Sequence, residues 1–580
     1  MRRLLVGFLA ILGLLVLLAA AAAVGLFFWL VPEEPEVPPR TIIALDLTRS
    51  LAERGAVDPL EALVFEPAPS LRDVLDGLQR AAADPRVVGV FARLGDDAYG
   101  FGTTQELRAA IEAFRASRKP AVAFADSFGE LGPGLRSYYL ATAFDEIWLQ
   151  PGGTVGLAGL RSENPFLRDA LEKIGVEPRF ERREEYKTAF NNFIERGFTK
   201  AHKEELERLL GTLYRQVARD VAAARGFAPE AAERLLGGGP WLAAEAERER
   251  LVDRVGWRDE ALDRLRGEGA EILSVLDYLE RAGRPNRTGT RIALVHGSGP
   301  IRRGDPSGGL LSGDRIMSAD EVARAFRQAV ADPEVKAIIF RVDSPGGSAV
   351  ASETIWRETI RAQKAGKPVI VSMGDYAGSG GYYVAAGASK IVAQPGTLTG
   401  SIGVIAGKVI TRAMWEKLGI PWDWVGYGEN AGMFSLIEDF TPEQRRRFEA
   451  ELDSVYEIFK TRVAAGRRMT SEEVEAVAKG RVWTGEEALA NGLVDALGGY
   501  GTALALAREA VGLAPDAPVE LVSFPPERGP LDLAWALLTG EKRERRPEAG
   551  TAALVRLLRP LVRLVEGPPG PLTMPLGEVR

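Results

Sequence analysis

At 580 residues the chain is longer than one hydrophobic core accommodates, since single cores stop growing near about 250–300 residues, and two large domains are expected. Its net charge of −7 comes from mixed acidic and basic residues, not from blocks, which leaves no basic footprint for nucleic acid. The absence of cysteine excludes disulfides, thiolate catalysis and most structural zinc sites, and only two histidines are available to serve any nucleophile.

In chain order, Met1, Arg2 and Arg3 precede an uncharged apolar stretch, residues 4–31, longer than the ~20 residues that cross a bilayer. Residues 1–31 read as a transmembrane anchor. The arginines before it and Glu33, Glu34 and Glu36 after it predict an N-in orientation, with everything downstream on the extracytoplasmic side of the inner membrane. A cleaved signal peptide is the alternative, but Phe27, Phe28, Trp29 and Leu30 prolong the apolar run past the alanines where cleavage would fall. Residues 32–285 then alternate short β-branched runs such as VVGVFARL with longer helical segments, the α/β pattern of a largely parallel sheet. Within them lie Lys187, in EEYKTAFNNF, and His202, near the start of a charged amphipathic helix on whose solvated face it is expected.

A polar linker, ERAGRPNRTGTR at residues 280–291, leads into a second α/β segment, 286–523. There the strand RIALV ends at His296, KAIIFRV runs into Asp343-Ser344-Pro345-Gly346-Gly347, KPVIVSM precedes GDYAGSGGYYVAAGA with Ser379, and TGSIG carries Ser401. In the tail, 524–580, ALVRLLRPLVRLVEG reads as a packing helix interrupted by Pro560 in preference to an interfacial one.

The two α/β segments are copies of each other. KPAVAFAD from Lys119 matches KPVIVSMG from Lys367, Tyr138-Tyr139 matches Tyr382-Tyr383, LEKIGVEP matches WEKLGIPW, and Trp241 with LVD at Leu251 matches Trp483 with LVD at Leu493. In register, Ser379 falls on Leu131 or Leu135, Ser401 on Leu157, and the Pro-Gly-Gly turn on Asp97-Ala98-Tyr99, so three features belong to the second copy alone. Lys187 falls on Ala431, with Phe190 opposite Phe434, so the lysine belongs to the first copy alone. A fused pair that has divided one site between its halves leaves this pattern; drift at surface positions is the bland alternative.

Ser379 sits in a run of small residues that has the form of a nucleophile elbow, where close backbone approach demands small neighbours and a helix start aims N–H groups at a developing oxyanion. The Pro-Gly-Gly turn can bring a second N–H, most readily that of Gly347. Taken singly, such a glycine-rich turn is more often only a turn. A lysine accepts the serine proton only when neutral, and burial lowers its pKa from a reference of ~10.4. Lys187 therefore has to be buried, and Glu184 and Glu185 have to point away from it. His296 is the second candidate base, with strand-end packing as its plain role.

Together the N-terminal span, the duplication, RVDSPGGS, GDYAGSGGYYVAAGA, TGSIGV and EYKTAF make the chain resemble the signal peptide peptidase A family in its long membrane-anchored bacterial form, a serine peptidase group related to the Clp protease proteolytic subunit. The resemblance implies two tandem crotonase-like α/β domains assembled as a homotetramer. It implies Ser379 as nucleophile, Lys187 as general base, oxyanion N–H groups from Gly347 and Gly380, and Ser401 orienting the amine. It further implies released signal peptides as substrates, cut in their apolar segment without metal or cofactor. Two rival readings share the fold: a catalytically silent scaffold at the membrane, and an acyl-CoA enzyme whose oxyanion hole is likewise built from backbone N–H groups. The second copy's intact serine and glycine turns speak against the first, and an extracytoplasmic location speaks against the second.

Overall fold

The computed structural model describes residues 36–53, 68–267, 269–304, 316–525 and 572–573. The apolar segment 4–31 and nearly all of the tail lie outside them, and among the described residues no helix is long and apolar enough to cross a membrane. The remainder is mixed α/β, with one large sheet in each copy.

In the first copy the elements are β1 (Thr41–Asp46), α1 (Leu71–Ala83), β2 (Val87–Leu94), α2 (Phe101–Arg115), β3 (Ala121–Ala125), α3 (Leu135–Ala141), β4 (Glu146–Leu149), β5 (Glu177–Arg182), α4 (Lys200–Arg225), β6 (Arg254–Val255) and β7 (Glu271–Ser274). The central runs VVGVFARL and AVAFA are almost wholly buried, as strands covered on both faces must be. They form a parallel sheet in the order β6-β4-β3-β2-β1-β7.

The second copy contains β8 (Thr290–Ser298), α5 (Ala319–Ala331), β9 (Val335–Ser344), β10 (Gly346–Gly347), α6 (Ala349–Lys364), β11 (Val369–Gly378), α7 (Gly380–Ala386), β12 (Lys390–Ala393), β13 (Leu398–Gly400), β14 (Ile405–Ile410), α8 (Pro442–Arg467), β15 (Val482–Thr484), α9 (Tyr500–Ala510) and β16 (Val519–Phe524). Its sheet runs β15-β13-β11-β9-β8-β16, parallel except for the β13–β15 pair. A last short strand, β17 (Leu572–Thr573), lies antiparallel on β10, with Thr573 opposite Gly346 and Leu572 opposite Gly347.

The duplication extends to individual hydrogen bonds. The Tyr138 hydroxyl donates to Leu251 O at 2.9 Å, and the Tyr382 hydroxyl to Leu493 O at 2.8 Å. Trp241 Nε1 donates to Leu235 O, and Trp483 Nε1 to Val477 O. Lys119 Nζ donates to the carbonyls of Ala81 and Asp84, and Lys367 Nζ to those of Ala329 and Asp332. Buried tyrosine and tryptophan need a partner for their polar end, and both copies satisfy it in the same place.

The halves are joined by backbone pairing as well as by side chains. β5 leaves the first copy and pairs antiparallel with β14 of the second, from Glu177 opposite Ile410 to Arg182 opposite Ile405. Residues 183–190 follow directly, so the ribbon delivers Lys187 into the second half.

His202 departs from expectation. It is only 4% exposed, edge-on to Phe198 at 4.9 Å between ring centroids, with Asn191 Nδ2 3.5 Å from its Nδ1. Burial and then nearby Arg182 push its pKa down to about 4. The helical periodicity around it is that of a charged surface, but Phe166 and Phe198, from two loops on either side of β5, pack against the ring at the first turn of α4 and enclose it.

Candidate active site

Ser379 stands between β11 and α7, at φ 54° and ψ −116°, fully buried. Few residues other than glycine tolerate this backbone conformation, and holding serine in it costs about 1–3 kcal/mol. Its neighbours impose it: Ser379 N–H donates to Gly400 O at 2.7 Å, and Tyr383 N–H donates to Ser379 O at 2.8 Å. Gly381 has to lack a side chain because a Cβ there would stand 2.6 Å from Ser344 O. Ser379→Gly and Ser379→Ala both lose the hydroxyl, so the difference between them isolates the strain; the glycine variant is expected to be about 1 kcal/mol more stable in thermal unfolding.

Lys187 is also fully buried, and its Nζ lies 2.8 Å from Ser379 Oγ. The same nitrogen donates to Ser401 O at 2.9 Å and is 3.0 Å from Ser401 Oγ. The lysine stem is held by glycines of the second half. A Cβ on Gly480 would come within 2.4 Å of Lys187 N, and one on Gly403 within 3.2 Å of its Cδ. Burial lowers the Lys187 pKa well below its ordinary value, opposed by the charge of Glu205. Glu184 and Glu185 are exposed.

Glu205 was not legible in the sequence. It projects from α4, is almost fully buried, and accepts the Val482 N–H at 2.7 Å, tying the first half to β15 behind the serine turn. Burial raises its pKa to about 7, so near neutral pH it offers the lysine less than a full opposing charge.

The two glycines expected to provide N–H groups lie side by side. A Cβ on Gly380 would fall 3.1 Å from Gly347 N and 2.7 Å from Ser352 Oγ. Gly347 has φ 153°, and a Cβ there would stand 2.2 Å from Ile301 O, so neither position admits another residue without displacement. Two backbone N–H groups adjacent to a buried serine, one from the residue that follows it, form the set that stabilises a tetrahedral oxyanion. His296 is elsewhere: its Nε2 is 3.0 Å from the Tyr500 hydroxyl, in strand-end packing. Among the described residues no group of histidine, aspartate and glutamate is arranged to hold a metal ion.

The sequence profile of peptidase family S49 matches residues 113–272 and 361–514. The chain belongs to this family. It is 32% identical over 482 residues to the chloroplastic serine protease SPPA of Arabidopsis thaliana, covering 81% of this chain and 70% of that one. It is 33% identical over 505 residues to Protease 4 of Salmonella typhi, covering 84% and 78%. Protease 4 of Haemophilus influenzae is 32% identical over 492 residues, covering 80% and 77%. The chain is thus a serine peptidase of family S49, and both matched segments carry part of the buried cluster: Lys187 in the first, Ser379 and Ser401 in the second.

Proposed function

We propose that this S49 peptidase is a membrane-anchored endopeptidase that uses a Ser379–Lys187 dyad to cut released signal peptides within their apolar segment. The observation that carries the reading is the 2.8 Å contact between a neutral-leaning buried amine and a buried, strained serine. Neutral Lys187 takes the hydroxyl proton as Ser379 Oγ attacks the scissile carbonyl carbon. The N–H groups of Gly347 and Gly380 bind the oxyanion, and the resulting ammonium returns the proton to the leaving amine. Water then attacks the acyl-enzyme with Lys187 again as base, releasing the acid and restoring Ser379. Ser401 holds Nζ on the serine side through its carbonyl and hydroxyl oxygens.

The reading includes crotonase-like domains at 32–285 and 286–523, an N-in anchor at 1–31, and catalysis on the extracytoplasmic side, where spent signal peptides lie in the membrane. It also includes a homotetramer, supported by the internal repeat. In the first half the segment that starts at the end of LEKIGVEP becomes β5 and docks on β14, while its counterpart from the end of WEKLGIPW forms no strand, with Trp422, Trp424, Tyr427 and Phe434 exposed. A second copy of the chain can receive that arm as the second half receives the first, burying aromatic side chains that favour interfaces.

Fluorophosphonate labelling of the full chain in detergent micelles, with the adduct mapped by mass spectrometry, tests the reading. Modification of Ser379 with turnover of an apolar peptide is expected; a folded chain that neither labels nor cleaves would leave the scaffold reading in its place. Peptide substrates commonly add as a strand to an exposed edge. β17 occupies such an edge at Gly346–Gly347. Joint replacement Leu572→Pro and Thr573→Pro, which removes both strand donors, is therefore expected to lower KM about three- to tenfold with kcat unchanged, as loss of an intramolecular competitor requires.

A further inference from the structure

The first half contributes a helix to the nucleophile as well as a lysine. Between the pairs Val342–Met373 and Ser344–Ala377 the β9–β11 ladder loses register, and Gly374, Asp375 and Tyr376 bulge opposite Asp343. Asp343 Oδ1 accepts the Tyr376 N–H at 2.9 Å, and the Thr397 hydroxyl donates to Gly374 O at 2.7 Å. Beyond the bulge, Tyr376, Ala377 and Gly378 pair with Leu398, Thr399 and Gly400, and the next residue is Ser379.

Asp375 reaches from this bulge into the first half. Its Oδ1 accepts the Thr103 N–H at 2.7 Å and its Oδ2 the Thr103 hydroxyl at 2.8 Å. Thr103 is the third residue of α2, whose own N-cap position, Gly100, has no side chain to offer. Asp375 therefore makes, from the other half, the hydrogen bond an N-cap side chain makes. The fit is close: a Cβ on Gly100 would stand 2.3 Å from Asp375 Cγ, and one on Gly102 2.7 Å from Gly374 O. Gly396 N–H, beside the bulge, donates to Gln105 Oε1 on the same helix at 2.6 Å.

The repeat sharpens the contrast. Gly100 is in register with Ser348, which caps α6 with its own hydroxyl by accepting the Ala351 N–H. Asp375 is in register with Ser127, whose hydroxyl donates to Thr154 O within the first half. The α2 cap thus comes from across the junction, from Asp375 just before the Ser379 turn, whereas its counterpart α6 is capped from within its own chain segment.

We propose that Asp375 is a positioning residue for the nucleophile: by capping α2 of the other half it fixes the bulge from which the Ser379 turn departs. This rests on Ser379 being the nucleophile. Asp343, held at the same bulge, is pushed up to about 7 by burial and then by the charges of Asp375 and Glu53. The bulge is therefore crowded with carboxylates, and the helix end is what partners Asp375.

The test uses the full chain in micelles and compares Asp375→Ala, Asp375→Asn and Thr103→Val with wild type. Kinetics, fluorophosphonate labelling rate per folded protein and thermal midpoint are read together. Asp375→Ala is expected to lower kcat and the labelling rate by about tenfold or more, with KM within about twofold, since small displacements of a reacting group cost that much. Asp375→Asn is expected to restore both rates to within about threefold, because asparagine caps as well as aspartate and its amide can donate to the Thr103 hydroxyl. Thr103→Val, which keeps the backbone N–H bond to Asp375 and removes the hydroxyl one, is expected to slow labelling a few-fold and carries the test if Asp375→Ala fails to fold. Wild-type labelling in Asp375→Ala, or equal impairment by alanine and asparagine, overturns the proposal while leaving the dyad standing. Retained turnover in Ser379→Ala removes the dyad and the proposal together.

Discussion

Lys187→Ala is expected to lower kcat for peptide hydrolysis about 10³-fold, the scale of losing a positioned general base, and Ser379→Ala at least as far. The lysine has no evident substitute, because His296 is engaged with Tyr500 and His202 is enclosed by phenylalanines in the first half. Activity of the wild type should climb with pH as the buried amine loses its proton, with a midpoint below the ordinary lysine range. The same burial has a stability signature of defined sign. Between the folded and unfolded lysine pKa values the unfolded chain binds more protons, so stability rises with pH across that window and is lowest below it. Lys187→Met fills the same volume without this burden and is expected to unfold at a higher temperature than wild type at neutral pH while being inactive. Full turnover in Lys187→Ala would falsify the divided site.

Arg341→Ala is expected to cost about 3–5 kcal/mol in denaturant unfolding, the scale of leaving buried charges without their partner. Arg341 is fully buried in the second half and meets two carboxylates from the first: Glu53 through Nε and Nη2 at 2.8 and 3.0 Å, and Glu106 through Nη2 at 2.8 Å. Its Nη1 donates to Ser372 Oγ at 2.9 Å, and its guanidinium lies 4.5 Å from the centre of the Tyr500 ring. Glu106 in turn accepts the Tyr500 N–H, and burial raises its pKa. Removing the arginine strands both acids at the junction of the halves. Replacing Arg341, Glu53 and Glu106 together by apolar residues of similar volume is expected to recover most of the loss, because desolvation of the cluster consumes much of its Coulombic gain. An alanine variant as stable as wild type would show that water reaches the two carboxylates.

Much of this arrangement was legible in the sequence because the chain contains its own comparison. A duplication exposes what one copy has and the other lacks, and by that test Ser379, Ser401 and the Gly346-Gly347 turn stood out on one side and Lys187 on the other. Alternating β-branched runs likewise forecast parallel strands, since burial on both faces leaves no polar period to misread. What could not be read were contacts with no local spacing. Glu205 sits in a helix whose charge pattern is that of a surface, and only the approach of β15 buries it. Asp375, Thr103 and Arg341 act across the junction, and the nearest hint was negative: Gly100 and Gly102 are glycines where the other copy has side chains. His202 misled for the same reason, because helical periodicity reports one helix and not the loops that cover it.

The ribbon of β5 and β14 has a consequence for how the enzyme comes into being. Lys187 is synthesised 192 residues before Ser379, and N-terminal units of long chains fold first. On the proposed dyad, a chain that ends before Ser379 carries the base without its nucleophile, and its lysine lacks the glycines of the second half that pack against it. On the proposed mechanism, hydrolysis becomes possible only when β14 and the segments carrying Gly403 and Gly480 have closed on the first half's arm. The topology thus delays assembly of the proposed site until the second half has been made, and chains that end before Ser379 lack its nucleophile.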